Sequence, residues 1–175
     1  MKVLLLDIET SPNVAFVWGT NLQRIRHDWL LEDSRTLCWA AKWYGDNEVI
    51  FDGEWKGKSR KTHHKAMIKH IHKLLDEADA VVHYNGKNFD IPTLNKEFLL
   101  YGLTPPSGYK QIDLYQVVSS TFRTPSRKLD YITKMLDIGE KVKHHGMGLW
   151  KEVLDGDDEA RQIVTGKDHT EGTPC

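Results

Sequence analysis

Cysteine is scarce: the 175 residues include two, Cys38 and Cys175. Two cysteines cannot build the disulfide framework of a small secreted scaffold. Cys38 falls in an apolar run and reads as a buried free thiol, which fits a reducing cytoplasm. Long apolar stretches are missing, so no segment reads as a membrane span. Met1 leads directly into a strand-like run, so no signal peptide is expected. Neither sign of charge is in excess, with 24 Lys and Arg against 25 Asp and Glu and a formal net charge of −1. A bulk polyanion-binding surface is therefore not advertised, and contact with nucleic acid would come from local clusters and metal ions. Repeats, low-complexity tracts and Cys–His zinc spacings are also absent from the sequence. What remains is ordinary for one globular domain, 39% hydrophobic and 28% charged, and long enough to bury a core without disulfides.

Hydrophobic periodicity gives the element order. Val3-Leu4-Leu5-Leu6 reads as a strand buried on both faces. A second strand is expected within residues 13–19. Residues 36–44 and 48–51 flank Gly45-Asp46-Asn47 as a hairpin, which gives three early strands in an antiparallel meander. Residues 54–62 read as a loop. A helix capped by Thr62 follows, its stripe formed by Ala66, Met67, His70, Ile71, Leu74 and Leu75. Then come a strand at 80–84, a helix at 92–101 with Pro92 in its first turn, and a strand at 110–114. The next helix runs through Val117, Val118 and Phe122 and is capped by Asp113. Ser126 caps another over Leu129–Leu136, and two short helices close the pattern at 146–154 and 157–164. The sum is a mixed α/β sheet covered by helices. Trp18, Trp39, Trp43 and Trp150 are expected in the core.

The first strand runs into Asp7-Ile8-Glu9-Thr10. Side chains two apart on a strand point to the same side. Two carboxylates at the end of a buried strand need their charge offset, and a divalent cation does this at least cost. The pair therefore points to metal-assisted hydrolysis. The second candidate element is Asn85-Gly86-Lys87-Asn88-Phe89-Asp90, between the strand at 80–84 and the helix after it. Asp90 alone reads as a helix cap. Joined to Asp7 and Glu9 at the carboxyl ends of neighbouring parallel strands, it completes a set able to hold one or two Mg²⁺ or Mn²⁺ ions. Asn85, Lys87 and Asn88 are candidates for phosphate or sugar contacts. Phe89 either stacks on a terminal base or packs beneath the loop, and packing is preferred.

Asp7-Ile8-Glu9-Thr10, with Asn85 to Phe89-Asp90 roughly eighty residues later, resembles the first two motifs of the DEDD (DnaQ-like) 3′–5′ exonuclease superfamily. Ser11-Pro12-Asn13, the Trp39 strand, Ser126-Arg127-Lys128-Leu129-Asp130 and Gly148-Leu149-Trp150 resemble the exonuclease group of phages and polymerase-associated domains. The resemblance covers roughly residues 1–162. It implies a ribonuclease H-like α/β fold, a mixed five-stranded sheet with an antiparallel N-terminal meander, flanked by helices. The domain would span residues 1–164, with a short tail at 165–175. Asp7 and Glu9 would bind the catalytic metal, Glu9 also helping to place the attacking water, and Asp90 would serve a second ion. Thr10, Asn85, Lys87, Asn88 and Phe89 would meet the substrate. Arg127 and Lys128, at the start of a helix that lies near the family's cleft, are the better phosphate contacts. The substrate would be a single-stranded or frayed DNA 3′ end, or RNA, releasing nucleoside 5′-monophosphates. A separate DNA polymerase is a candidate partner, and replication in the cytoplasm (the host's, for a phage protein) a candidate setting.

The family's third motif, Tyr or His with Asp four residues later in a late helix, has no counterpart here. The spacing falls near Lys167 and Glu171, in a tail without tyrosine and broken by Gly166, Gly172 and Pro174. Three accounts stay open: Asp168 or Glu171 substitutes for the fourth carboxylate, another chain supplies it, or it is lost. The last would leave a weak or inactive module that binds nucleic-acid ends or a protein partner. His144 or His145 is a remote substitute for the water-activating group. The pairs His63-His64 and His144-His145, and His70 with His72, face different directions and do not chelate together. Lys56, Lys58, Arg60, Lys61, Lys65, Lys69 and Lys73 read as a solvated surface rather than a strand-backbone contact.

Overall fold

The computed structural model describes residues 1–21, 24–139 and 147–165. Asp168, Glu171, His144 and His145 lie outside the described residues. Strand β1 (Val3–Thr10) buries Leu4, Leu6 and Ile8 on one face, while Val3, Leu5, Asp7 and Glu9 share the other. The expectation of burial on both faces is corrected, since Leu5 is 37% exposed. Leucine at successive positions hides the period of two.

The sheet order is β5-β4-β1-β6-β7. Strands β4 (Thr36–Trp43) and β5 (Ile50–Gly53) extend it antiparallel to β1. On the other side β6 (Ala80–His83) and β7 (Lys110–Asp113) run parallel to it. This is the mixed five-stranded sheet with an antiparallel meander that the sequence suggested. The strand expected within 13–19 is shorter: β2 (Val14–Ala15) pairs with β3 (Leu30–Glu32) in a separate two-stranded sheet. Trp18, on that excursion, is 98% exposed, which corrects its assignment to the core. Trp39 is buried, and Trp43 and Trp150 are partly buried against the two apolar clusters.

Helix α1 (Arg60–Glu77) begins before Thr62, with Ser59 in the cap position. Its buried stripe of Met67, Ile68, Ile71, Leu74 and Leu75 joins Ile91, Leu94 and Phe98 of α2 (Asp90–Leu100). Together they cover Leu4, Leu6, Ile8, Trp39 and Val81 on one face of the sheet. Leu94 is fully buried, and cutting such a leucine to alanine costs about 2–5 kcal/mol. Helix α3 (Leu114–Thr121) follows β7, with Asp113 as its cap. Helix α4 (Leu129–Met135) has Lys128, not Ser126, at its cap position; the Ser126 hydroxyl instead accepts from the Lys128 amide at 3.3 Å. On the opposite face α5 (Met147–Asp155) and α6 (Asp158–Thr165) pack Leu149, Val153, Ala160 and Val164 against the buried thiol of Cys38. Among the described residues no helix is long and apolar enough to cross a membrane.

The end of β1 is tied to the start of β4. The Ser11 amide donates to the Arg35 carbonyl at 2.8 Å, and the Arg35 amide to the Ser11 hydroxyl at 3.0 Å. The Arg35 guanidinium forks onto Glu54, both contacts at 2.9 Å, and that carboxylate holds it more firmly protonated than an ordinary arginine.

Candidate active site

Asp7 and Glu9 stand half-buried on the same face of β1. Their antiparallel partners on β4 are Ala40 and Cys38. Directly opposed residues share a face, so Glu9 lies on the side that α5 and α6 cover over Cys38. The ladder is interrupted immediately afterwards: Glu9 pairs with Cys38 but Thr10 with Thr36, leaving Leu37 as an extra residue on β4. Such a bulge bends the strand and re-aims side chains, here at Thr10. Nothing in the local sequence announces it.

Asp90 is the first residue of α2 and is 3% exposed. The cap position belongs to Phe89, so the reading of Asp90 as a cap is corrected. The regular β1–β6 pairing ends at Leu5 and Val82. Past that point the Ile8 amide, between the two acids of β1, donates to Asp90 Oδ1 at 3.0 Å. That bond brings together the two sequence elements carrying the candidate carboxylates. Burial pushes the Asp90 carboxyl up to about 6, against the lowering effect of the backbone amides, and the nearby Asp113 charge adds to the rise.

Asp113 has a larger role than capping. Its Oδ1 accepts from the amides of Asn85 at 2.8 Å and Tyr115 at 3.0 Å, and its Oδ2 from that of Lys87 at 3.2 Å. One buried carboxylate thus fixes both α3 and the loop that leads to Asp90. The sequence signal was an acid ending a second parallel strand, as Asp7 nears the end of the first. His83 lies beneath, its Nδ1 3.6 Å from Asp113 Oδ2. Burial lowers the His83 pKa, outweighing the pull of Asp113.

The loop backbone is tightly specified. Asn85 adopts a left-handed φ of 63°, which asparagine tolerates better than most residues. A Cβ on Gly86 would lie 2.6 Å from the His83 ring, so the close approach requires glycine. Asn88 donates from its side-chain amide to the Asn85 side-chain oxygen at 3.1 Å. Lys87 and Asn88 are exposed, and Phe89 is 45% exposed. Packing of Phe89 beneath the loop is therefore corrected; the His83 ring lies against Gly86. Asn85, Arg127 and Lys128 border one cavity of about 630 Å³ beside the loop. His63 and His64 diverge as expected, one to Asp52 at 3.0 Å and the other to the Tyr101 hydroxyl at 2.6 Å.

Carboxylate oxygens are the donors that Mg²⁺ and Mn²⁺ prefer, so Asp7, Glu9 and Asp90 fit a hard divalent cation in donor type. Among the described residues no three His, Cys, Asp or Glu side chains are gathered closely enough to hold a metal as they stand.

A family model described as the RNase H superfamily matches residues 32–160, a stretch that includes Asp90 and Asp113 and begins after Asp7 and Glu9. No curated protein matches the chain. Among solved structures it is similar to the family B DNA polymerase of the hyperthermophilic archaeon Pyrobaculum calidifontis. That match has a TM-score of 0.61 and 18% identity, covering 91% of this chain and 21% of that one. It is also similar to the zinc-bound E. coli ExoI–ssDNA complex, with a TM-score of 0.51 and 18% identity, covering 88% and 39%. The chain thus spans well under half the length of either, and at this identity the likeness is one of fold.

Proposed function

The chain belongs to the RNase H superfamily, and from that premise we propose that it is a metal-dependent 3′–5′ exonuclease. It would hydrolyse phosphodiester bonds at single-stranded or frayed DNA 3′ ends and release nucleoside 5′-monophosphates. The observation that carries this reading is the 3.0 Å hydrogen bond from the Ile8 amide to Asp90. It ties the third carboxylate to the backbone between the other two, at the carboxyl ends of parallel strands where α/β sheets bind ligands. The fold likeness to a DNA polymerase and to an exonuclease complexed with single-stranded DNA supports DNA as the substrate.

Asp7, Glu9 and Asp90 would hold one or two Mg²⁺ or Mn²⁺ ions, which when bound polarise a phosphoryl oxygen and lower the pKa of water. The remaining work falls to the chain. Asp90, with its pKa near 6, releases its proton at neutral pH and becomes a competent ligand. Glu9 orients the attacking water. Lys87, exposed on the loop, and Arg127 and Lys128 across the cavity hold backbone phosphates by charge, which positions a strand without reading its sequence. Asp113 keeps the loop in place through the Asn85 and Lys87 amides.

The test is cleavage of 5′-labelled single-stranded DNA in Mg²⁺ or Mn²⁺, with labelled RNA alongside. A ladder shortening from the 3′ end and absent in Asp7→Ala is the expected result. Cleavage unchanged in Asp7→Ala, or no cleavage by folded protein, refutes the proposal; the latter outcome leaves a binding module.

A further inference from the structure

The cavity between the β6–β7 edge and the segment before α4 is lined by groups of three chemical kinds. Tyr84 and Tyr115 meet edge to face, their centroids 5.9 Å apart at 81°, and with Leu129 they make an apolar wall. Arg127 and Lys128 stand exposed at the rim, and neither forms an ion pair among the described residues. The Thr124 hydroxyl, also in the lining, is buried and has no hydrogen-bond partner among the described residues. The Tyr84 hydroxyl donates to the Arg127 carbonyl at 2.6 Å, which pins the basic segment over the sheet edge.

Each part excludes a class of ligand. A neutral apolar molecule would leave the two cations unmatched. Inorganic phosphate would leave the aromatic wall unmatched. A planar base joined to a phosphate meets both the aromatic wall and the cations, and a volume of about 630 Å³ lies within the usual range for small-ligand sites, roughly 300–1,000 Å³. We propose that this cavity is a nucleotide subsite, taking one nucleoside monophosphate unit with its base against Tyr84 and Tyr115 and its phosphate on Arg127 and Lys128. The proposal rests on the nuclease reading for its substrate class. Neighbouring strands lie about 4.8 Å apart, so the β6–β7 rim is one to two strand spacings from the end of β1. The unit held there is therefore a neighbour of the cleaved bond rather than the cleaved residue itself. The same chemistry describes a unit within the strand and the free monophosphate product.

The test is an amide NMR titration of the full chain in chelator, where no cleavage occurs, with thymidine 5′-monophosphate, with thymidine, and with a ten-residue oligothymidylate. Shifts at Tyr84, Thr124 and Leu129, weakened at least tenfold in Arg127→Ala and absent with thymidine, are expected. Arg127→Ala is suitable because it keeps the carbonyl that Tyr84 holds. Leu129→Glu, a second variant that sets a negative charge beside the cavity at an exposed position, is expected to weaken both nucleotide probes. Binding of the mononucleotide assigns product as well as strand to the cavity; binding of the oligomer alone, equally sensitive to Arg127→Ala, assigns the strand. Shifts elsewhere, equal binding of thymidine, or affinity unchanged in both variants overturns the proposal. Binding at the cavity in chelator, combined with no cleavage in the separate Mg²⁺ or Mn²⁺ assay, would instead refute the nuclease reading and leave the subsite intact.

Discussion

Replacing Asp90 by asparagine is expected to stabilise the metal-free protein at neutral pH. The carboxyl is 3% exposed and its pKa is raised from the ordinary 3.8 to about 6, chiefly by burial. A folded-state pKa above the unfolded value means that the native state holds the proton more tightly. The stabilisation this provides is complete below about pH 3.8 and disappears as pH rises through about 6. At about 1.4 kcal/mol per pH unit the rise amounts to about 3 kcal/mol. Asparagine has nearly the same shape, and its amide oxygen can accept the Ile8 N–H, but it has no charge to desolvate. In chelator at pH 7.5, Asp90→Asn should therefore be up to about 3 kcal/mol more stable, a Tm increase of about 6–12 °C for a chain of this size. Near pH 4 the two proteins should converge. Thermal unfolding followed by circular dichroism, in steps from pH 4 to 8, measures this directly. Adding Mg²⁺ should raise the Tm of the parent protein and not that of the variant. A variant less stable than the parent at pH 7.5, or pH profiles that run parallel, would refute the reasoning.

Asp113→Ala removes the acceptor for three backbone amides, each bond to a charged group contributing about 1.5–3 kcal/mol with incomplete additivity. A loss of about 3 kcal/mol in urea unfolding is expected, and an unchanged midpoint would show that the loop holds without it. Gly86→Ala places a methyl 2.6 Å from the His83 ring; a loss of about 2 kcal/mol is expected by analogy with overpacked cores, and amide shifts confined to surface residues would contradict it. Thr36→Val should be neutral or stabilising by up to about 1 kcal/mol, because the buried Thr36 hydroxyl has no partner among the described residues. A fall in Tm would show that this hydroxyl is satisfied.

The parts of the fold that were legible in the sequence are those with a local cause. The period-two spacing of Asp7 and Glu9, the buried α1 positions Met67, Ile71, Leu74 and Leu75, and the turn at Gly45-Asp46-Asn47 each follow from neighbours in sequence, whereas Ala66 and His70, expected in the same stripe, are exposed. The element pattern implied a mixed sheet, and the resemblance to DEDD exonucleases added its five-stranded, ribonuclease H-like form, which the structure has. The failures had non-local causes. Leucine fills both faces of β1, so Leu5 reads as core, yet which face a helix covers is set by α1, α2, α5 and α6. Trp18 is expected in the core, but the β2–β3 excursion leaves it outside both apolar clusters. Phe89 is left exposed while the His83 ring lies against Gly86, an inward orientation that no local pattern reveals. Thr62 and Ser126 are good cap residues, yet the helices began at positions set by tertiary packing. The bulge at Thr10 and the triple acceptance by Asp113 depend on strands paired across tens of residues.

The Ile8–Asp90 bond spans 82 residues. Closing a loop of that length carries a substantial entropic cost, which the β1–β6 ladder and the core beneath it must overcome. The order of biosynthesis then matters. When β1, β4 and β5 have emerged, they can pair as an antiparallel unit that displays Asp7 and Glu9 alone. Asp90 arrives only with β6 and α2, whose parallel addition is the slower kind of pairing. The proposed carboxylate set would therefore be assembled late, and a chain interrupted before α2 would carry two of its three members on an otherwise well-paired meander.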